Sequence, residues 1–147
     1  MKNDVILSIT GLHINELLTD EEGIEVISPG KYYNKNGKHY VLFDEVIPET
    51  KEVVNNRLKI EPDKVEISKG GGLNTKLTFE KDRISVSQYH TPYGDITIGT
   101  TTRQLSISEE EETIKVTIAY ALEINNEWAS DCTITIVIKN MNKKGRE

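Results

Sequence analysis

Along this chain apolar side chains return at close to every second position. The clearest run is Ile114, Val116, Ile118, Tyr120, Leu122 and Ile124, separated by Lys115, Thr117, Ala119, Ala121 and Glu123. One face is apolar and the other is small or polar, as a half-buried strand requires. A second run follows, with Trp128, Cys132, Ile134, Ile136 and Ile138 alternating with Asp131, Thr133 and Thr135. Asn125-Asn126 lies between the two and supplies turn chemistry, so the pair reads as a hairpin.

Earlier segments repeat the pattern. Val5, Leu7 and Ile9 form one strand, and Ile24 and Val26 open another in which Pro29-Gly30 predicts a bend or bulge. Asn34–Gly37 turns the chain into a strand over His39–Val46, which is apolar on both faces. Leu58 and Ile60 are separated from Val65 and Ile67 by the turn Glu61-Pro62-Asp63. Gly70–Gly72 leads into Leu73–Glu80, Lys81-Asp82 into Arg83–Thr91, and Pro92-Tyr93-Gly94 into a long strand from about Asp95 to Ser108. In that long strand the apolar phase slips, because Ile96 and Ile98 are even while Leu105 and Ile107 are odd. A bulge near Gly99–Gln104 accounts for the slip.

The connections are too short to hold the crossover helices of a parallel sheet. Only Ile14–Glu22 has the pattern of a helical turn. The expected fold is therefore all-β: an antiparallel up-and-down meander of about eight to ten strands closed into a barrel, since closure removes exposed edges. A two-sheet sandwich is the alternative. Residues 1–139 form one domain and 140–147 a polar C-terminal tail.

Composition narrows the function classes. The chain has 147 residues, enough for one domain and a core without covalent staples. Its formal net charge of −6 disfavours general binding to phosphate backbones, so nucleic acid is an unlikely partner, although a local basic patch remains compatible. The single cysteine, Cys132, forbids an intrachain disulfide. No signal peptide, membrane-length apolar run or Asn-x-Ser/Thr acceptor is present, and the expected compartment is the cytoplasm, with no membrane partner.

Tyr89-His90-Thr91-Pro92-Tyr93-Gly94 carries a resemblance. With Phe43-Asp44-Glu45, Leu58-Lys59-Ile60, Lys69-Gly70, Leu77-Thr78-Phe79 and Ile118–Leu122 in the same order, the chain resembles the YwiB-like family of small bacterial proteins of unknown function. Phe43 and Lys69 depart from the family pattern, where Tyr and Arg are common. The resemblance implies a lipocalin-like, calycin-type β-barrel and no catalytic residues.

Local chemistry is sparse. His13, His39 and His90 lack metal-ligand spacing and read as surface or barrel-wall residues, and no metal or cofactor is expected. Gly70–Gly72 is followed by neither the lysine nor the helix of a phosphate loop. Cys132 lies on an apolar face and reads as a small hydrophobe. Glu109–Glu112 reads as a solvated turn.

The candidate site is a polar set that parity carries inward. If Ile84 and Val86 face the barrel interior, Gln88 and His90 do too. Tyr120 shares the apolar face of its strand, and Glu45 has the parity of Val41 and Phe43. Glu45, Gln88, His90 and Tyr120 are thus the candidate ligand-binding residues for a small, partly apolar ligand inside the barrel. Mutual satisfaction of these groups at the barrel ends is the simpler account. An acid/base enzyme using His90 with Tyr120 or Glu45 is the alternative. A third reading is a homo-oligomer or interaction module through the apolar outer side of His39–Val46.

Overall fold

The computed structural model describes residues 3–12, 24–46, 51, 53–70, 75–91 and 94–141. These form ten strands: β1 (Asp4–Leu12), β2 (Ile24–Lys35), β3 (Lys38–Val46), β4 (Val53–Glu61), β5 (Lys64–Lys69), β6 (Thr75–Glu80), β7 (Ile84–Thr91), β8 (Gly94–Glu110), β9 (Thr113–Ile124) and β10 (Glu127–Asn140). All belong to one antiparallel sheet of order β6-β5-β4-β3-β2-β1-β10-β9-β8-β7, so every pairing but β1–β10 joins sequence neighbours. The sheet curls until β6 and β7 meet, giving a nearly closed barrel. No helix occurs among the described residues, and the helical turn expected at Ile14–Glu22 lies outside them.

Turn chemistry sets much of the register. Asn36 and Gly37 both adopt positive φ, at 56° and 77°, and so do Asn125 and Asn126, at 51° and 71°. These are the conditions of a two-residue turn whose twist matches the flanking strands. The first places Asn34 opposite His39, and the second places Glu127 opposite Ile124.

Gly11 has φ +87° at a register shift between Thr10 and Leu12, and a Cβ there would lie 2.1 Å from the Thr133 carbonyl oxygen. Only glycine fits both the backbone angle and the approach. At Pro29-Gly30 the ladder to β1 runs through without a shift, so no bulge forms there. The ladder to β3 instead begins at Lys31, and β2 parts from β3 beside the proline, which has no amide hydrogen to donate.

The interior is lined by alternating positions. Val54, Leu58 and Ile60 of β4, Ile114, Val116 and Ile118 of β9, and Ile134, Ile136 and Ile138 of β10 are buried. Phe79 and Tyr120 meet near the middle with ring centroids 4.9 Å apart.

The bulge expected in β8 occurs between Thr102 and Gln104, leaving Arg103 without a cross-strand partner on β9. Thr100 and Thr102 face inward before it; Leu105 and Ile107 pack against the core after it.

Parity in β7 is the reverse of the expectation. Ile84 and Val86 are 66% and 65% exposed, and Gln88 is exposed with them. Ser85 and Ser87 occupy the less exposed face because β7 borders the seam of the barrel. No backbone ladder joins β6 to β7 among the described residues. Hydroxyls close the gap instead: Ser87 donates to the Lys76 carbonyl, and the buried Thr100 donates to the Thr78 carbonyl at 2.9 Å. Asp82 N–H donates to Thr102 O at 2.8 Å and Thr102 N–H to Arg83 O at 3.2 Å, tying the β6–β7 turn to β8.

Candidate functional site

Of the sequence-derived set, the side chains of Tyr120 and Gln88 are described, and they lie on opposite faces of the barrel wall. Tyr120 is buried in the core, where its ring packs against Phe79. Gln88 lies on the outer surface, so it does not share that interior. Glu45 pairs in register with Val54, and His90 with Asp95; the side chains of both lie outside the described residues.

A different polar cluster stands at one end of the barrel. The β2–β3 turn places Tyr32 and His39 two register positions apart, on the same inward face. Tyr32 is 5% exposed and His39 9%. The Tyr32 hydroxyl lies 2.6 Å from His39 Nδ1. On the far side of the ring, His39 Nε2 lies 3.1 Å from Glu109 Oε1. The Glu109 carboxylate only accepts, so Nε2 carries the proton toward it. In the neutral imidazole Nδ1 then accepts from the Tyr32 O–H. Asn34 Nδ2 also donates to the Tyr32 hydroxyl, at 3.4 Å. A phenol hydrogen-bonded to an imidazole thus stands in line with a carboxylate 3.1 Å from the ring's far nitrogen.

Two depressions meet at His39 and Glu109. One, of about 210 Å³, is lined further by Gly37, Ile60, Glu61, Pro62 and Ile107. The other, of about 270 Å³, is lined by Tyr32, Asn34, His39, Ile114 and the carboxylates of Glu109, Glu110 and Glu111. Burial opposes ionisation of Glu61. The fields of Lys38, Lys59 and Lys64, with a hydrogen bond from Lys38, outweigh it and hold this carboxyl below its ordinary value. The mouth therefore presents apolar walls and ionised acceptors together. A third groove, of about 670 Å³, opens where β2 parts from β3, against Pro29, Gly30, Leu42, Phe43 and Met141. Among the described residues no group of three His, Cys, Asp or Glu side chains is placed to hold a metal ion.

The position of Glu109 depends on the β8 bulge. Were Arg103 and Gln104 both paired in an unbroken ladder, the even positions of this segment would face inward and Glu109 would face out. The sequence signalled the phase slip but gave no sign that its product was a carboxylate against His39.

The profile of a domain of unknown function (DUF1934) matches residues 8–136. The chain belongs to the DUF1934 family. It is 24% identical over 119 residues to the uncharacterized beta-barrel protein YwiB of Bacillus subtilis (strain 168), covering 79% of this chain and 82% of that protein. It also superposes on the crystal structure of the ywiB protein from Bacillus subtilis with a TM-score of 0.74 at 19% identity, covering 95% of this chain and 93% of that one. The DUF1934 barrel is therefore the fold of this chain, as its resemblance implied, and the family assigns it no activity. No helix among the described residues is long and apolar enough to cross a membrane.

Proposed function

We propose that this protein is a small-ligand binding module of lipocalin-like type, working in the cytoplasm, whose site is the barrel mouth around His39 and Glu109. The observation that carries the reading is the meeting of two depressions at His39 and Glu109, whose Nε2 and Oε1 lie 3.1 Å apart. Apolar Ile60 and Ile107 line one side, and the Glu109–Glu111 carboxylates line the other. Polar groups converging beside apolar walls are the usual form of such a site. The acidic lining selects a compact ligand with an ammonium or similar cationic head, and the apolar walls take a short hydrocarbon body. The lone, buried Cys132 supports the cytoplasmic reading.

The test is a thermal-shift titration with straight-chain alkylamines, alcohols and carboxylates of matched length. Saturable stabilisation by the amines is expected, and a ligand at 100 times its Kd adds about 2.7 kcal/mol. That corresponds to a rise in Tm of roughly 5–10 °C for a domain of this size. Glu109→Gln abolishes the shift. Equal shifts in the variant, or none across the panel, refute the reading.

The Glu109–His39–Tyr32 chain favours a second reading, acid–base catalysis at the same mouth, because it moves a proton between phenol and carboxylate through one ring. In that case Tyr32→Phe retains ligand-induced stabilisation and loses turnover.

A further inference from the structure

The register of β2 through β6 concentrates cations on one outer face of an otherwise acidic protein. Lys31 of β2 stands opposite Leu42 of β3, which stands opposite Arg57 of β4, then Ser68 of β5 and Lys76 of β6. From β2 to β6 this row contains no carboxylate, and it ends on β1 at Asp4, opposite Lys31. With neighbouring strands about 4.8 Å apart, its three cations recur at intervals of roughly 10 Å. The adjacent row begins Tyr33, Tyr40, Lys59. Tyr33 is 48% exposed, and Tyr40 lies directly opposite it with Lys59 Nζ 5.9 Å from its ring centroid. Lys35 and Lys38 complete the turn end of the face.

Seven cations on this face, Lys31, Lys35, Lys38, Arg57, Lys59, Lys64 and Lys76, stand against the carboxylates Asp4, Asp44, Glu61, Glu66 and Glu80. Glu61 alone serves Lys38, Lys59 and Lys64, at 3.4, 3.7 and 3.7 Å. Glu66 lies 3.7 Å from Lys64 and 3.9 Å from Lys76, and Asp4 pairs with Lys31 at 2.5 Å. Arg57 is exposed in the centre of the row, and Leu42 is 43% exposed beside it. The formal net charge of −6 is carried largely elsewhere, including the Glu109–Glu112 tract at the barrel mouth. At physiological ionic strength such charges are screened over about 8 Å. That tract borders the Asn34–His39 end of the face and so directs a polyanion toward the Lys31–Arg57–Lys76 row.

We propose that this face binds single-stranded nucleic acid. Its phosphates follow the Lys31–Arg57–Lys76 row, and bases stack on the Tyr33–Tyr40 pair in the next row. A cationic track beside an exposed ring, Tyr33, and a half-buried one, Tyr40, is the combination that sequence-tolerant single-strand binders use. Duplexes keep their bases stacked inside, so the tyrosines favour single strands. The surface is separate from the mouth, and its success or failure is independent of the ligand reading above.

The test is fluorescence anisotropy with labelled oligo-dT and oligo-U of about twelve nucleotides, and with a duplex of equal length. Saturable single-strand binding is expected at low salt, with log K falling against log salt at a slope of about −2 for three phosphate contacts. Tyr33→Ala and Tyr40→Ala each weaken binding about fivefold or more, whereas Tyr40→Phe retains it. Arg57→Glu weakens it further, and Lys139→Glu, on the outer face of β10, leaves it unchanged. Unaltered far-UV spectra confirm that the variants are folded. Absence of saturable binding at about 20 mM salt overturns the proposal. So does equal affinity for the duplex with no effect of the tyrosine substitutions, which would show bare polyanion attraction. An equal loss in Lys139→Glu and Arg57→Glu also overturns it.

Discussion

Thr100→Val removes one hydroxyl and keeps the side chain's shape, so it isolates the bond by which β8 reaches past the β6–β7 seam to β6. In the native chain Thr100 is 2% exposed and donates to the Thr78 carbonyl at 2.9 Å across a seam with no backbone ladder. Losing the donor strands a shielded carbonyl, which costs about 1–3 kcal/mol. The methyl that replaces the hydroxyl regains less than about 1 kcal/mol by burial. The net expectation is a destabilisation of about 1–2 kcal/mol, or a fall in Tm of roughly 2–8 °C. Urea denaturation followed by far-UV circular dichroism measures the global part. Hydrogen exchange measures the local part: β6 amides should exchange faster while β9 and β10 amides change only with global stability. Ser87→Ala should act on the neighbouring Lys76 carbonyl more weakly, because Ser87 is less buried. Stability within about 0.3 kcal/mol of wild type, with unchanged exchange in β6, would refute the reasoning. The seam would then be held by packing alone.

Two further expectations concern the turn end and the β1 bulge. Glu61 has a lowered pKa, so its contribution to stability is present above its unfolded value near 4.5 and is lost as pH falls through the folded value. Glu61→Gln should therefore be less stable than wild type at pH 7, by up to about 1 kcal/mol. The gap should narrow below pH 4.5 in paired denaturation curves. Gly11→Ala places a Cβ 2.1 Å from the Thr133 carbonyl oxygen at φ +87°. It should destabilise the chain by about 2 kcal/mol or more, since strained backbone adds to the clash, and thermal unfolding checks it.

The strands, their order along the chain and the C-terminal hairpin were legible because local signals agreed: period-two alternation and asparagine turns. The β8 bulge was legible because Ile98 and Leu105 both had to be buried. β7 misled for a physical reason. Its less exposed positions are Ser85 and Ser87, and Ser87 caps the Lys76 carbonyl of β6, so the apolar residues Ile84 and Val86 stand outside. Alternation alone does not say which face is inside at a seam. His39 looked like an ordinary wall histidine because its partner Glu109 lies 70 residues away in sequence. Their meeting depends on the order of ten strands and on a bulge that absorbs one residue.

That extra residue, Arg103, has an evolutionary consequence. Deleting its codon would remove the bulge and keep every face that follows, because Gln104 would still oppose Ala119 and Leu105 would still oppose Ile118. Deleting a codon three residues on, that of Ser106, would instead turn Ile107 outward and set Ser108 and Glu110 in the inward places of Ile107 and Glu109. One indel is silent at the bulge, and the same indel just beyond it exchanges a greasy lining for a wet one. Among barrels of this lineage the bulge is therefore the place where strand length can change without changing the mouth.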